Sequence, residues 1–133
     1  PNSDAACTRR VRSNTPLAAL TALNESVMVE AARAFAMRIV REGGGDDHSR
    51  INYAYRLCVA REATAAEHAA IEQALSKQRS RLSDGWLSIR EVAFGDESSA
   101  LPELPEGTAP IDVAAWSLVA RVLLNLDELV CKN

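Results

Sequence analysis

The spacing of apolar residues is the feature of this 133-residue chain that most restricts its fold. In each long segment, apolar side chains recur three and four positions apart, which places them on one face of a helix. No segment alternates apolar and polar residues for long enough to indicate a half-buried strand. Glycine and proline are few and clustered, so they separate these segments instead of interrupting them. The pattern predicts an all-α protein.

About five helices are expected, and capping signals mark several of their ends. The predicted ranges are 15–24, 26–42, 47–60, 64–83 and, last, about 112–131. Thr15 followed by Pro16 suits a helix start, and Thr64 with Glu67 has the spacing of a capping box. The last helix is apolar around most of its circumference. We therefore expect it to be buried at the centre of a single helical bundle.

The stretch from Asp84 to Pro110 interrupts the helical pattern with several glycine and proline turn signals. Five acidic residues lie together in its later part: Glu91, Asp96, Glu97, Glu103 and Glu106. The sequence predicts a long acidic surface loop before the last helix, with a short helix near 86–93. Trp86, Leu87 and Ile89 are expected to attach the start of this stretch to the core.

The length and charge of the chain limit the classes of protein to which it can belong. A chain of 133 residues fits one domain, and its formal net charge of −3 argues against general nucleic-acid binding. No run of apolar residues is long enough to span a membrane, so no membrane span is expected.

An arginine cluster is the leading candidate for ligand binding. Arg9, Arg10 and Arg12, with Asn14, directly precede the predicted helix start at Thr15. Guanidinium groups bind carboxylates and phosphates in a bidentate manner, and a helix N-terminus also favours anions. The cluster could hold an acidic small molecule or a glycan. The alternative is that these arginines pair with the acidic loop or with an upstream segment.

The three cysteines lack the spacing of a metal or haem motif. Because their number is odd, they cannot all pair within the chain. Cys7 and Cys131 lie near opposite ends of the sequence and could form one disulfide. Cys58 lies on an apolar helix face and is expected to be a buried thiol.

Polar residues also interrupt the apolar final helix. Arg121 and Asn125 lie four positions apart, and Asp127 follows two positions later. Buried polar groups need hydrogen-bond partners. The sequence therefore favours a structural polar network here over a ligand site.

The only two histidines, His48 and His68, do not form a recognisable metal motif. His48 lies with Asp46 and Asp47, where a surface metal is conceivable, but the sequence favours solvated side chains in a helix-capping turn. His68 is expected on the exposed side of the 64–83 helix. No catalytic residue and no metal site is predicted, because the chain also lacks a nucleophile elbow and a phosphate-binding glycine-rich loop.

Three phrases of the sequence together carry a family resemblance. They are CTRRVRSNTPLAALTALN at 7–24, YRLCVAREATAAE at 55–67 and AAWSLVARVLLNLDE at 114–128. They resemble the C-terminal domain of large planctomycete proteins known as domain of unknown function 1553. The chain departs from that pattern at Ala18, where glutamine is common, and at Glu25-Ser26, where Asp-Pro is common.

This resemblance implies a multidomain setting. Such proteins are exported, periplasmic or cell-surface proteins, and they carry an upstream domain that would be the partner of this one. Many also have a cytochrome c-like domain elsewhere, so any haem would be held there, and no cofactor is expected in this chain. Residues 1–133 would form the C-terminal part of a longer domain, and this domain would have a docking or scaffold role. The alternative is a fragment of a redox or hydrolytic enzyme whose active site needs the upstream part.

Overall fold

The computed structural model describes residues 15–96 and 100–126, with side chains from Ser26 onward. Five helices are present in these ranges: α1 (Thr15–Glu42), α2 (Asp47–Val59), α3 (Ala65–Ser83), α4 (Ile89–Phe94) and α5 (Pro110–Leu124). No strand occurs in the described part of the chain, and the predicted all-α class is confirmed. None of these helices has the length and apolarity required to cross a membrane.

The helix boundaries differ most from the prediction at two places, and the short helix predicted near 86–93 begins later, at Ile89. The predicted helices at 15–24 and 26–42 form one continuous helix, α1, because no glycine or proline interrupts the backbone hydrogen bonds between them. The last helix ends at Leu124, earlier than predicted. There the side-chain amide of Asn125 donates to the Arg121 carbonyl at 2.8 Å, and the Asn125 backbone N–H donates to Val122 at 3.1 Å.

The core forms where α5 packs against α1, α3 and α4. Every residue from Val113 to Ser117 is buried, and the indole of Trp116 is completely enclosed. On α1, Ala32 and Ala36 are also fully buried. Because alanine side chains are small, they allow the backbones of neighbouring helices to approach closely. The predicted central position of the last helix is confirmed.

A buried arginine joins three segments that are distant in the chain. Arg50, in α2, is only 5% exposed. Its guanidinium donates to the carbonyl oxygens of Val40 at 3.2 Å and Gly44 at 2.9 Å, and to the hydroxyl of Thr108 at 2.9 Å. The end of α1, the glycine turn and the segment before α5 are thereby held together.

In the glycine turn between α1 and α2, the backbone lies very close to the end of α1 and to Arg50 of α2. A Cβ atom on Gly43 would lie 2.6 Å from the Ile39 carbonyl oxygen and 3.2 Å from the Arg50 Cα. Gly44 has a φ of +106°, which side-chain-bearing residues rarely adopt. Gly45, in contrast, would place a Cβ atom in open space. Only the first two glycines of the turn are therefore required by the geometry.

A second arginine ties the N-termini of two helices to α3. The Arg79 guanidinium contacts the Asp47 carboxylate at 2.7 Å and the Asp112 carboxylate at 3.1 Å. Each aspartate lies in the first turn of its helix, where the helix dipole favours a negative charge. The pKa of Arg79 is raised, chiefly by its hydrogen bond to Asp47.

We expect Gly43→Ala to lower the free energy of unfolding by about 1–3 kcal/mol, because the new methyl group meets backbone atoms that cannot move away independently. Gly45→Ala is the matched control and should leave stability unchanged or slightly higher. Urea denaturation of both variants measures the difference. Equal stabilities would show that the turn relaxes freely around residue 43.

We expect Arg50→Met to cost roughly 1–3 kcal/mol of stability, because it keeps the aliphatic stem but leaves buried acceptors without donors. Arg56→Met serves as the control, since Arg56 forms an exposed ion pair with Glu62 at 2.9 Å. Such surface pairs contribute at most about 1 kcal/mol. A smaller loss for Arg50→Met than for Arg56→Met, measured by chemical denaturation, would contradict the structural role of Arg50.

Candidate functional site

All four ligand-binding candidates from the sequence, and several other candidate residues, lie outside the described residues. This applies to Arg9, Arg10, Arg12 and Asn14, and equally to Cys7, Asp127 and Cys131. Anion binding by the arginine cluster, a disulfide between the terminal cysteines and the contribution of Asp127 to a polar network all stay predictions.

The structure describes the other three residues of those predictions, Cys58, Arg121 and Asn125. Cys58 is a free thiol buried in α2, and burial raises its pKa, which disfavours the reactive thiolate. The side chain of Asn125 contacts the backbone carbonyl of Arg121 and not its guanidinium. The Nε atom of Arg121 is buried and has no hydrogen-bond partner among the described residues.

Two histidines and a glutamate meet on the surface formed by α2 and α3. The rings of His48 and His68 are stacked, with centroids 4.2 Å apart and an angle of 12° between their planes. Glu72 completes the group, and one ligand atom from each of the three residues lies within 4.8 Å of the others. We call these three residues the histidine cluster. His48 and Glu72 are exposed, and His68 is half-buried.

Asn52 orients the half-buried histidine. Its Oδ1 atom accepts a hydrogen bond from the Ala63 backbone N–H at 3.3 Å, which identifies this atom as the amide oxygen. The same oxygen lies 2.9 Å from Nε2 of His68, so Nε2 must carry the proton and donate it. In the neutral ring, Nδ1 of His68 then holds the free lone pair. Nδ1 is buried and has no hydrogen-bond partner among the residues that the structure describes.

Capping interactions set the positions of the two helices that carry the cluster. The Asp46 carboxylate accepts the Ser49 backbone N–H at 2.7 Å, which fixes the first turn of α2 around His48. At the start of α3, Glu67 N–H donates to the Thr64 hydroxyl at 3.2 Å, and Thr64 N–H donates to the Glu67 carboxylate at 2.8 Å. The predicted capping box is confirmed.

The acidic residues near the cluster differ in whether an arginine pairs with them. Glu67 is held by the Arg61 guanidinium at 2.8 and 3.0 Å, and Asp47 by Arg79. For Glu72, no ion pair or hydrogen bond is found among the described residues. Its carboxylate is therefore available to a ligand.

Sequence reasoning missed this cluster because His48 and His68 are separated by 20 positions. His68, expected on the exposed side of its helix, is half-buried, and its ring stacks on that of His48. The chain reverses after α2 at Ala60, which adopts a left-handed conformation with a φ of 63°. The H-x-x-x-E spacing of His68 and Glu72, one helical turn apart, was the available signal.

A second distinctive feature is the exposed indole of Trp86, in the turn between α3 and α4. Leu87 and Ile89 pack against the core as predicted, but Trp86 is 75% exposed, and its predicted attachment to the core was wrong. The preceding Gly85 has a φ of +83°, and the Trp86 N–H donates to the Arg81 carbonyl at 3.1 Å. This turn directs the indole away from the bundle.

Shallow depressions occur elsewhere on the described surface, and two of them are large enough to describe. One, of about 490 Å³, is lined by Arg121, Val122, Asn125 and Leu126. The other, of about 440 Å³, is lined by Arg41 and by residues 103–106. Neither contains the histidine cluster or Trp86.

Comparison with known proteins identifies one family. The family model described as PSD1, protein of unknown function (DUF1553), matches residues 1–75. No curated protein and no solved structure matches the chain significantly. The matched region ends within α3, so α4 and the central helix α5 lie beyond it.

Acid titration should reveal the structural role of Glu67. Hydrogen bonds from Arg61 and from the Thr64 backbone lower its pKa from 4.5 to about 2. A lowered pKa stabilises the folded state above pH 4.5, and this contribution is lost as the pH falls toward 2.

Glu67→Gln removes the charge but keeps a side chain that can complete a capping box. We expect the variant to be less stable than the parent at neutral pH, with the two stabilities converging between about pH 4.5 and 2. Free energies of unfolding measured across this pH range test the prediction. A constant difference at every pH would show that the charge is not responsible.

Proposed function

The chain belongs to the PSD1 family of proteins of unknown function (DUF1553), and we propose that it acts as a helical docking module of a larger polypeptide. The exposed Trp86 is the observation that carries this proposal. Tryptophan is enriched at binding hot spots, because its large rigid surface gains much from burial and loses little conformational entropy.

The surroundings of Trp86 support a protein partner. The indole projects from a turn, and the depressions found on the described surface are lined by other residues. A small ligand would need a cleft, whereas a projecting aromatic side chain can insert into a pocket of another protein surface. Arg81, in the last turn of α3, and Asp84, at its C-cap, are exposed and close to Trp86 in the chain, and they would supply the polar rim that commonly surrounds an interface core.

The partner we propose is an apolar pocket on an upstream domain of the same polypeptide. The sequence resemblance supports this choice, since it places such domains in exported multidomain proteins. In that setting, a haem group would belong to a cytochrome c-like domain elsewhere and not to this chain. Arg9, Arg10, Arg12 and Asn14 would hold a carboxylate-bearing segment or an anionic glycan near the junction.

Trp86→Ala should weaken binding of this chain to the remainder of its natural polypeptide at least tenfold, equivalent to about 1.4 kcal/mol or more. Isothermal titration calorimetry measures the affinity. Fluorescence gives a second measurement, because Trp86 is exposed and Trp116 is buried, and the chain contains no other tryptophan. Acrylamide should quench Trp86 in the free chain and quench it much less in the complex.

Leu57→Ala is the matched control, because Leu57 is another exposed apolar residue, 42% accessible, on α2. It should leave the affinity within about twofold of the parent value, as expected for a residue outside a hot spot. Equal affinities for Trp86→Ala and the parent would reject docking through this residue. If oligosaccharides protected Trp86 from acrylamide quenching and the remainder of the polypeptide did not, Trp86 would bind glycans and the docking role would be rejected.

A further inference from the structure

The histidine cluster plays no part in the proposed docking through Trp86, and the core does not require it. We propose that His48, His68 and Glu72 bind a divalent transition-metal ion of the zinc class, with a fourth coordination position open to water or another ligand. Two imidazoles and a carboxylate are a ligand set that Zn²⁺ accepts in proteins.

The hydrogen bonding of His68 supports a ligand role. The Asn52 side-chain oxygen accepts a hydrogen bond from the Nε2–H of His68, which leaves the Nδ1 lone pair free. Histidines that bind metals usually donate their other ring N–H to an oxygen in this way. A buried nitrogen without a partner is also costly, and coordination of an ion would remove that cost.

The separations within the cluster are close to those of a chelate. Ligand atoms around tetrahedral zinc lie about 2.0–2.1 Å from the ion, and hence roughly 3.3–3.5 Å from one another. The cluster atoms lie within 4.8 Å of one another. The widest pair therefore has to close by at most about 1.5 Å, a movement that exposed side chains can make by rotation.

The stacked histidine rings must reorient when the ion binds. In two nearly parallel rings, the nitrogen lone pairs lie in parallel planes and cannot converge on one point. His48 is exposed, so its ring can turn without disturbing the core. The torsion that turns an imidazole has a broad energy minimum, which keeps the cost low.

The ligand types predict which ions the site takes. Imidazole nitrogen suits Zn²⁺, Co²⁺, Ni²⁺ and Cu²⁺, whereas Mg²⁺ and Ca²⁺ prefer oxygen ligands throughout. The ligands come from two helices, so a bound ion would also link α2 to α3. Binding to the folded state alone would raise the melting temperature.

The test uses the purified chain after removal of metals with a chelator. Titration with ZnCl₂ in a calorimeter should show one zinc ion per chain, and zinc should raise the melting temperature while MgCl₂ does not. His48→Ala and Glu72→Gln each remove one ligand from an exposed position, so both variants should fold. Each should weaken zinc binding at least tenfold and abolish most of the thermal shift.

Glu106→Gln is the matched control, because it makes the same chemical change at an exposed carboxylate outside the cluster. It should bind zinc as the parent does. Substitution with Co²⁺ distinguishes the cluster from the cysteines: nitrogen and oxygen ligands give no thiolate charge-transfer absorption. Nitrogen-15 spectra of the imidazoles should show the ion on Nδ1 of His68, with the Nε2 proton retained.

Three outcomes would overturn the metal site. These are no measurable zinc binding by the parent chain, unchanged binding in both His48→Ala and Glu72→Gln, and a cobalt complex with thiolate absorption. None of them bears on docking through Trp86, which involves different residues and is measured separately.

Discussion

The buried guanidinium of Arg50 is the contact on which the arrangement of the bundle depends. A charged group at this depth is stable only when its donors are satisfied, and here two backbone carbonyls and the Thr108 hydroxyl accept them. These acceptors belong to the end of α1, the turn that follows it and the segment leading into α5. The direction in which α2 leaves α1 is thus coupled to the start of the central helix.

Arginines hold the described part of the domain together at other places as well. Arg79 links the first turns of α2 and α5 to α3, and Arg33 of α1 donates to the backbone carbonyls of Glu91 and Val92 in α4. These contacts position helices and leave the guanidinium groups engaged. Among the described residues, the side chains for which we propose a binding role are of other types: the indole of Trp86 and the imidazoles and carboxylate of the histidine cluster.

Local signals in the sequence were sufficient to predict most helix starts. Asp46 and Thr64 cap α2 and α3 as expected, because a capping side chain bonds only to backbone a few residues away. The predicted break near residue 25 was wrong, because polar residues such as Asn24 and Glu25 do not by themselves stop a helix. The predicted continuation of the last helix through residues 125 and 126 was also wrong, since Asn125 caps the helix through its own side chain.

The sequence by itself determined the helical class, the caps and the buried central helix, because each follows from periodicity or from contacts between near neighbours. Only the tertiary structure decided which side chains meet across helices. His48 and His68 stack because α3 turns back along α2, and Asn52 then selects the His68 tautomer. Trp86 faces outward although its neighbours Leu87 and Ile89 pack inward, because the turn at Gly85 sets its direction. Such placements depend on the path of the whole chain, which local spacing does not encode.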